Sequence, residues 1–172
     1  MVGVGGEMAA EAFLSSGMIG RVGEIVMEHT PAITQLRDMM NDEARDANES
    51  ERVVDAGVAF LANISRTEAG SSAFLDKESL MTKLITEFVA TPPKGFDCFQ
   101  HVASILMNIS QMERGRKIIL NKTDAYLAKI SPFLLSGTTT RRYGVAGAIR
   151  NVCFEKVRLF FTQATSLSCI LF

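Results

Sequence analysis

At 172 residues, with 47% hydrophobic and 22% charged side chains, the chain can bury one sizeable core and lies outside the compositions of disordered proteins. Its net charge of -1 conceals an asymmetry: residues 1–90 hold 7 Lys/Arg against 15 Asp/Glu, and residues 91–172 hold 11 against 4. One end is acidic and the other basic, a field that steers a charged partner without deciding a fold. The three cysteines, Cys98, Cys153 and Cys169, form no CxxC pair, which argues against a zinc site or a disulfide framework. They read as small buried apolar residues in a reducing compartment. The first residues lack the basic start and apolar core of a signal peptide, and no stretch is long enough to span a bilayer. The expected location is the cytoplasm, with the nucleus open.

Gly3, Gly5 and Gly6 miss the GxGxxG spacing and follow no strand, so they read as a flexible terminus. Residues 8–28 carry apolar side chains at helical spacing interrupted at Gly17, which predicts a helix, a break and a second helix. Thr30-Pro31 reads as a fresh helix start, with Ile33, Leu36, Met39 and Met40 as its stripe. Residues 41–51 are acidic and nearly free of apolar side chains, the pattern of a loop or a solvated helix extension; an acidic docking segment is the functional reading. Val53, Val54, Gly57, Val58, Phe60, Leu61 and Ile64 then cover more than half of a helix, which predicts an element packed on several sides. Gly70 reads as the turn that ends it. Two amphipathic helices follow, around Phe74 and over Leu80–Val89, stopped by Pro92-Pro93. The same order then begins again at Phe99, passes Gly115, Ile118–Leu120, Tyr126 and Phe133, and reaches a last helix opened by Arg141-Arg142-Tyr143.

The restart is visible in the letters. Leu61-Ala62-Asn63-Ile64-Ser65 recurs forty-five residues later as Leu106-Met107-Asn108-Ile109-Ser110, and forty-three residues after that as Ile149-Arg150-Asn151-Val152-Cys153. A period in the low forties is that of armadillo or HEAT-type solenoids, whose repeats bury their apolar faces only by stacking. The sequence therefore predicts an all-α right-handed helical solenoid of about three and a half repeats. Its innermost helices fall at 53–65, 98–110 and 142–154, its domain at 1–155, and an atypical tail at 156–172.

Catalysis needs a nucleophile, a base and an orienting group converging on one pocket, and the sequence supplies no such set. His29 and His101 have no metal-ligand partner at helical spacing, and P-loop and GxSxG motifs are absent. A non-enzymatic chain without metal or cofactor is the expectation. Stacking places Asn63, Asn108 and Asn151 in a row on the inner surface, flanked by Ala59, Ser104 and Gly147 and by Asp55, Gln100 and Tyr143. An amide carries both a donor and an acceptor, so the row can pair with the backbone of an extended peptide. The same amides can instead bond helix-end carbonyls within their own fold, and both readings stand on the sequence. Candidate partner-binding residues are Asn63, Asn108, Asn151, Gln100, Ser104, Gln111 and Arg66, with a basic patch of Arg141, Arg142 and Arg150 for an acidic client surface. Nucleic acid is disfavoured, because aromatic interleaving and an RNA-binding motif are missing. Nuclear-import receptors place a tryptophan four residues before each ladder asparagine; this chain has no Trp, which disfavours recognition of import signals.

Three phrases are more specific than the repeat itself: Leu61–Gly70, Leu106–Gln111 leading to Gly115-Arg116, and Arg141-Arg142-Tyr143-Gly144-Val145-Ala146-Gly147-Ala148-Ile149-Arg150-Asn151-Val152-Cys153-Phe154-Glu155. Together they resemble the eukaryotic Hgh-type armadillo family, known also as the brain-protein-sixteen-like family, over about residues 8–155. The resemblance implies a cytosolic adaptor that assists folding of translation elongation factor two with the cytosolic chaperonin. A generic armadillo scaffold or import-type peptide carrier is the alternative. Family chains are longer at both ends, and the likeness stops at Glu155, which points to a truncated fragment or gene model. The terminal Cys169-Ile170-Leu171-Phe172 fits a prenylation pattern, but Lys156 and Arg158 are a sparse basic flank, so a lipid anchor at Cys169 is disfavoured and no membrane role is expected.

Overall fold

The computed structural model describes residue 11 and residues 17–39, 48–90, 96–121 and 123–168. Among them lie eight α-helices, a 3-10 turn and no strand: α1 (Met18–Met39), α2 (Glu49–Ile64), α3 (Glu68–Leu75), α4 (Glu78–Ala90), α5 (Val102–Ile109), α6 (Glu113–Ile119), α7 (Tyr126–Ile130), the turn Ser131–Leu134, and α8 (Thr139–Ser168). The all-α reading holds. Helix α1 packs along α2, α2 along α5, and α5 along α8, so the three helices that carry the asparagine motif lie side by side. Their inner faces, Val58, Leu61, Ile105, Leu106, Val145, Ala148 and Val152, join Leu84, Ile85 and Phe88 of α4 in one core.

Thr30-Pro31 does not start a helix; α1 runs through Pro31 without a break. A proline inside a helix removes one backbone bond and costs ~3 kcal/mol. Val26 and Ile33, both sealed from solvent on the face turned to the core, offset that at ~1.5–3 kcal/mol each. The Thr30 hydroxyl donates to the Val26 carbonyl at 2.8 Å, and His29 Nδ1 meets Ser50 Oγ at 3.1 Å to tie α1 to the start of α2. Tertiary burial has carried the helix through the position that read as a fresh start.

Of the acidic stretch 41–51, residues 41–47 lie outside the described residues, and the rest is a helix start. Asn48 Oδ1 accepts from the Glu51 amide at 2.8 Å while Glu51 Oε2 accepts from the Asn48 amide at 2.9 Å, a reciprocal cap that leaves Glu51 buried. The second innermost helix is shorter than 98–110, because residues 97–101 form tight turns in which Gln100 N–H donates to Asp97 O and Val102 N–H to Phe99 O. Cys98 is buried as expected, whereas Cys153 is exposed on α8. Helix α8 continues unbroken from the last innermost segment through Ser168. Cys169 lies outside the described residues.

Gly70 does not end a helix. It sits in the first turn of α3, where its N–H is capped by Thr67 Oγ1 at 3.0 Å. A Cβ there would overlap the Ile64 carbonyl oxygen, and a Cβ at Gly115, forty-five residues on, would overlap that of Ile109. Each glycine is needed because the end of an innermost helix abuts the start of the next helix. Gly144 serves the same purpose between helices, since a Cβ would overlap the backbone of Ala103 in α5.

The basic doublet that opens α8 divides. Arg142 is exposed, but Arg141 is fully buried. Its Nε and Nη2 donate to both carboxylate oxygens of Asp97 at 2.7 and 2.8 Å, and Nη1 donates to the Phe88 carbonyl at 2.6 Å. The guanidinium lies 3.8 Å from the Phe88 ring centroid and 4.4 Å from that of Phe133. Arg141 is therefore removed from the basic patch: a bidentate carboxylate and two ring faces hold it inside.

Three outcomes for stability are read from urea denaturation of the whole chain. Gly144→Ala should lower the unfolding free energy by ~1–3 kcal/mol through overpacking. Gly20→Ala, where an added Cβ meets nothing within 4 Å, should raise it by ~0.5–1 kcal/mol. Arg141→Ala should cost ~3–5 kcal/mol, because it strands the buried Asp97 carboxylate, and Arg141→Met with Asp97→Leu should recover part of that loss. Equal stability of the two Arg141 variants would contradict the buried pairing.

Candidate functional site

The asparagine row is built the same way twice. Asn108 Nδ2 donates to the Ala62 carbonyl at 3.1 Å and to Ser65 Oγ at 2.9 Å; Asn151 Nδ2 donates to the Met107 carbonyl at 3.2 Å and to Ser110 Oγ at 2.9 Å. The serine hydroxyls complete each triangle, Ser65 Oγ donating to Ala62 O at 2.8 Å and Ser110 Oγ to Met107 O at 2.7 Å. Each asparagine thus reaches back to the last turn of the preceding innermost helix, where carbonyls lack intrahelical partners. The amide nitrogens of Asn108 and Asn151 are spent inside the fold. Asn63 stands at the same position of α2 but is exposed, and its side chain makes no hydrogen bond to any described residue.

Eight residues earlier, Gln100 Nε2 donates to Asp55 Oδ1 at 3.4 Å, and His101 Nε2 lies 3.8 Å from the same oxygen. Gln100 and Ser104 are half-buried between repeats, and Tyr143, in the matching place on α8, is 73% exposed. Arg142 makes only a 3.5 Å contact with Thr139 Oγ1 and Arg150 is exposed, so the basic patch on α8 consists of these two. Arg114 and Arg116 are engaged elsewhere: Arg114 bonds Asp76 and the Leu75 carbonyl at the end of α3, and Arg116 bonds the Ser110 and Gln111 carbonyls at the end of α5. A positive charge near a helix C-terminus is stabilising there.

Between the α2–α3 junction and the α5–α6 junction lies a cleft of about 440 Å³. It brings together three of the expected residues: Asn108 in its floor, and Arg66 and Gln111, both exposed, on its edges. Asn63 and Arg150 are not among its lining residues. Sequence reasoning missed Ser65, Thr67, Glu68, Ser71, Met112 and Glu113, which also line it. The serine repeated two residues after Asn63 and Asn108 was the available signal, and it points to Ser65 alone.

A family model described as "Domain of unknown function (DUF383)" matches residues 47–160. Similar curated proteins are each named "Protein HGH1 homolog". The Xenopus laevis protein is 26% identical over 103 residues, 59% of this chain and 29% of the relative. The Danio rerio protein is 36% identical over 105 residues, 57% and 27%. The Dictyostelium discoideum protein is 24% identical over 156 residues, 77% and 44%. The chain thus spans less than half the length of these relatives. No solved structure matches it. With the match running from the cap of α2 into α8, across both asparagine triangles and the cleft between them, the chain belongs to the DUF383 family, that of the HGH1 homologues.

Proposed function

We propose that the chain is a non-enzymatic protein-binding adaptor of the cytoplasm, and that its client is translation elongation factor two, handled together with the cytosolic chaperonin. The client is what the resemblance to the Hgh-type family implies. The observation that supports a binding surface is the division of labour along the stacked helices. Hydrogen bonds within the fold fix the backbone of α2, α5 and α8, while Asn63, Arg66, Gln111, Arg142 and Arg150 are left exposed on it. A rigid surface with polar groups already positioned loses little entropy on binding a protein. Nothing in this arrangement requires a cofactor or a metal, and among the described residues no helix is long and apolar enough to cross a membrane.

The immobilised 172-residue chain should retain purified elongation factor two and, from eukaryotic cytosol, chaperonin subunits. Recovery of importins, with no binding of the purified factor, would favour the peptide-carrier reading instead. Calorimetric titration should show binding about tenfold weaker for Arg66→Ala with Gln111→Ala, a loss of ~1.4 kcal/mol, at unchanged melting temperature. Asn108→Ala should behave differently. It removes both bonds by which α5 is held to the end of α2, leaving Ala62 O with Ser65 Oγ as its remaining side-chain donor, at a cost of ~1–3 kcal/mol, so its first effect is a lowered melting temperature, whereas Asn63→Ala should leave stability unchanged.

A further inference from the structure

The polar groups in the floor of the 440 Å³ cleft have no donor left to offer. Ser71 Oγ donates to the Ser65 carbonyl at 2.6 Å, Ser65 Oγ to the Ala62 carbonyl at 2.8 Å, and both Asn108 Nδ2 bonds run inward to Ala62 and Ser65. Asn108 is only 7% exposed, yet its Oδ1 has no partner. That oxygen is not sealed, because among the described residues no buried side-chain nitrogen or oxygen lacks a hydrogen bond. It therefore opens into the cleft, which Ser71 also lines. Such a floor accepts hydrogen bonds and cannot give them. The carboxylates of Glu68 and Glu113 stand at the rim, Glu113 also bonding Lys117 at 2.8 Å, and the half-buried Met112 gives the wall an apolar strip. Arg66 is the one cation among the described lining residues.

A ligand for this site must be rich in donors, poor in acceptors and positively charged. Lysine and arginine side chains are the protein groups with donors and no acceptor, and their methylene stems pack against apolar surface such as Met112. We propose that the cleft is a pocket for a basic side chain of a protein partner, a guanidinium or ammonium group hydrogen-bonded to Asn108 Oδ1 between Glu68 and Glu113. This rests on the protein-binding reading above and names the chemistry of one contact within it. An anion is disfavoured, since it would face the Asn108 oxygen and two carboxylates, with only the Arg66 guanidinium and the Gln111 amide at the edges in its favour.

The test is a titration of the isotopically labelled 172-residue chain with N-acetylarginine amide, followed by the side-chain NH2 resonances of Asn108 in nuclear magnetic resonance. A saturable shift is expected, with affinity about fivefold weaker for the neutral N-acetylcitrulline amide and for the Glu68→Gln variant. Equal shifts from the arginine and citrulline compounds, or saturation by inorganic phosphate, would overturn the proposal. So would a shift of the Asn108 resonances in the ligand-free Arg66→Ala variant, which would mean that the chain's own arginine fills the pocket. The two readings fail separately. Specific binding of the arginine compound without capture of elongation factor two sinks the client assignment alone, and elongation factor two bound equally by Glu68→Gln and the parent chain sinks the pocket alone.

Discussion

A helix that must stop so that the chain can turn into the next repeat leaves carbonyl oxygens without partners, and the rest of this fold is arranged around that fact. Ala62 and Met107 carry those carbonyls, and in both cases an asparagine of the following innermost helix and a local serine supply the donors. Apolar contacts between stacked helices tolerate small slides, because burial is non-directional. A carbonyl that must meet one amide at about 3 Å tolerates none. The stacking register of α2, α5 and α8 is thus set by polar groups, while the Leu, Ile and Val faces supply the bulk of the stabilisation. Gly70 and Gly115 belong to the same arrangement, since only a residue without Cβ fits where the helix end meets the next helix start.

The entry of α8 solves a different problem by a costlier route. Burying Arg141 and Asp97 together removes two charges from water, a penalty of several kcal/mol per ion that Coulomb attraction alone does not reliably return. Here every strong interaction is used: two charge-assisted bonds, a third to the Phe88 carbonyl, and two aromatic faces. The residues joined in this way come from the end of α4, the turn before α5, the 3-10 turn and α8. One side chain thus adds directional bonds between segments that the apolar core already brings together.

How much of this can be read from the letters follows from range. The forty-five-residue period and the apolar faces around Leu61, Leu106 and Ile149 are properties of single segments and their echoes, and they place the three stacked helices correctly. Pro31 misleads because its local cost is real and is outweighed only by Val26 and Ile33 packing on a helix more than twenty residues away. Arg141 misleads because Arg141-Arg142 is a surface doublet in any local window; its burial depends on Asp97, forty-four residues earlier. Cys153 looks like a small core residue, but its side of α8 is turned outward. The amide orientation at Asn108 and Asn151 is also invisible in sequence, since the residue type supports an inward or an outward bond equally.

That last ambiguity resolves into two roles carried by different atoms of one side chain. The nitrogen of Asn108 holds α5 to the end of α2, and its oxygen is the unpartnered acceptor of the cleft. A truncation at this position therefore removes a structural donor and a surface acceptor together. Glu68, Arg66 and Gln111 border the same cleft with side chains that make no hydrogen bond to the described fold. Substitutions there change the surface without touching the Ala62 or Met107 carbonyls. The surface of this face is accordingly separable from folding at its edges and inseparable at its centre, because the central side chain belongs to the bonds that hold the stacked helices together.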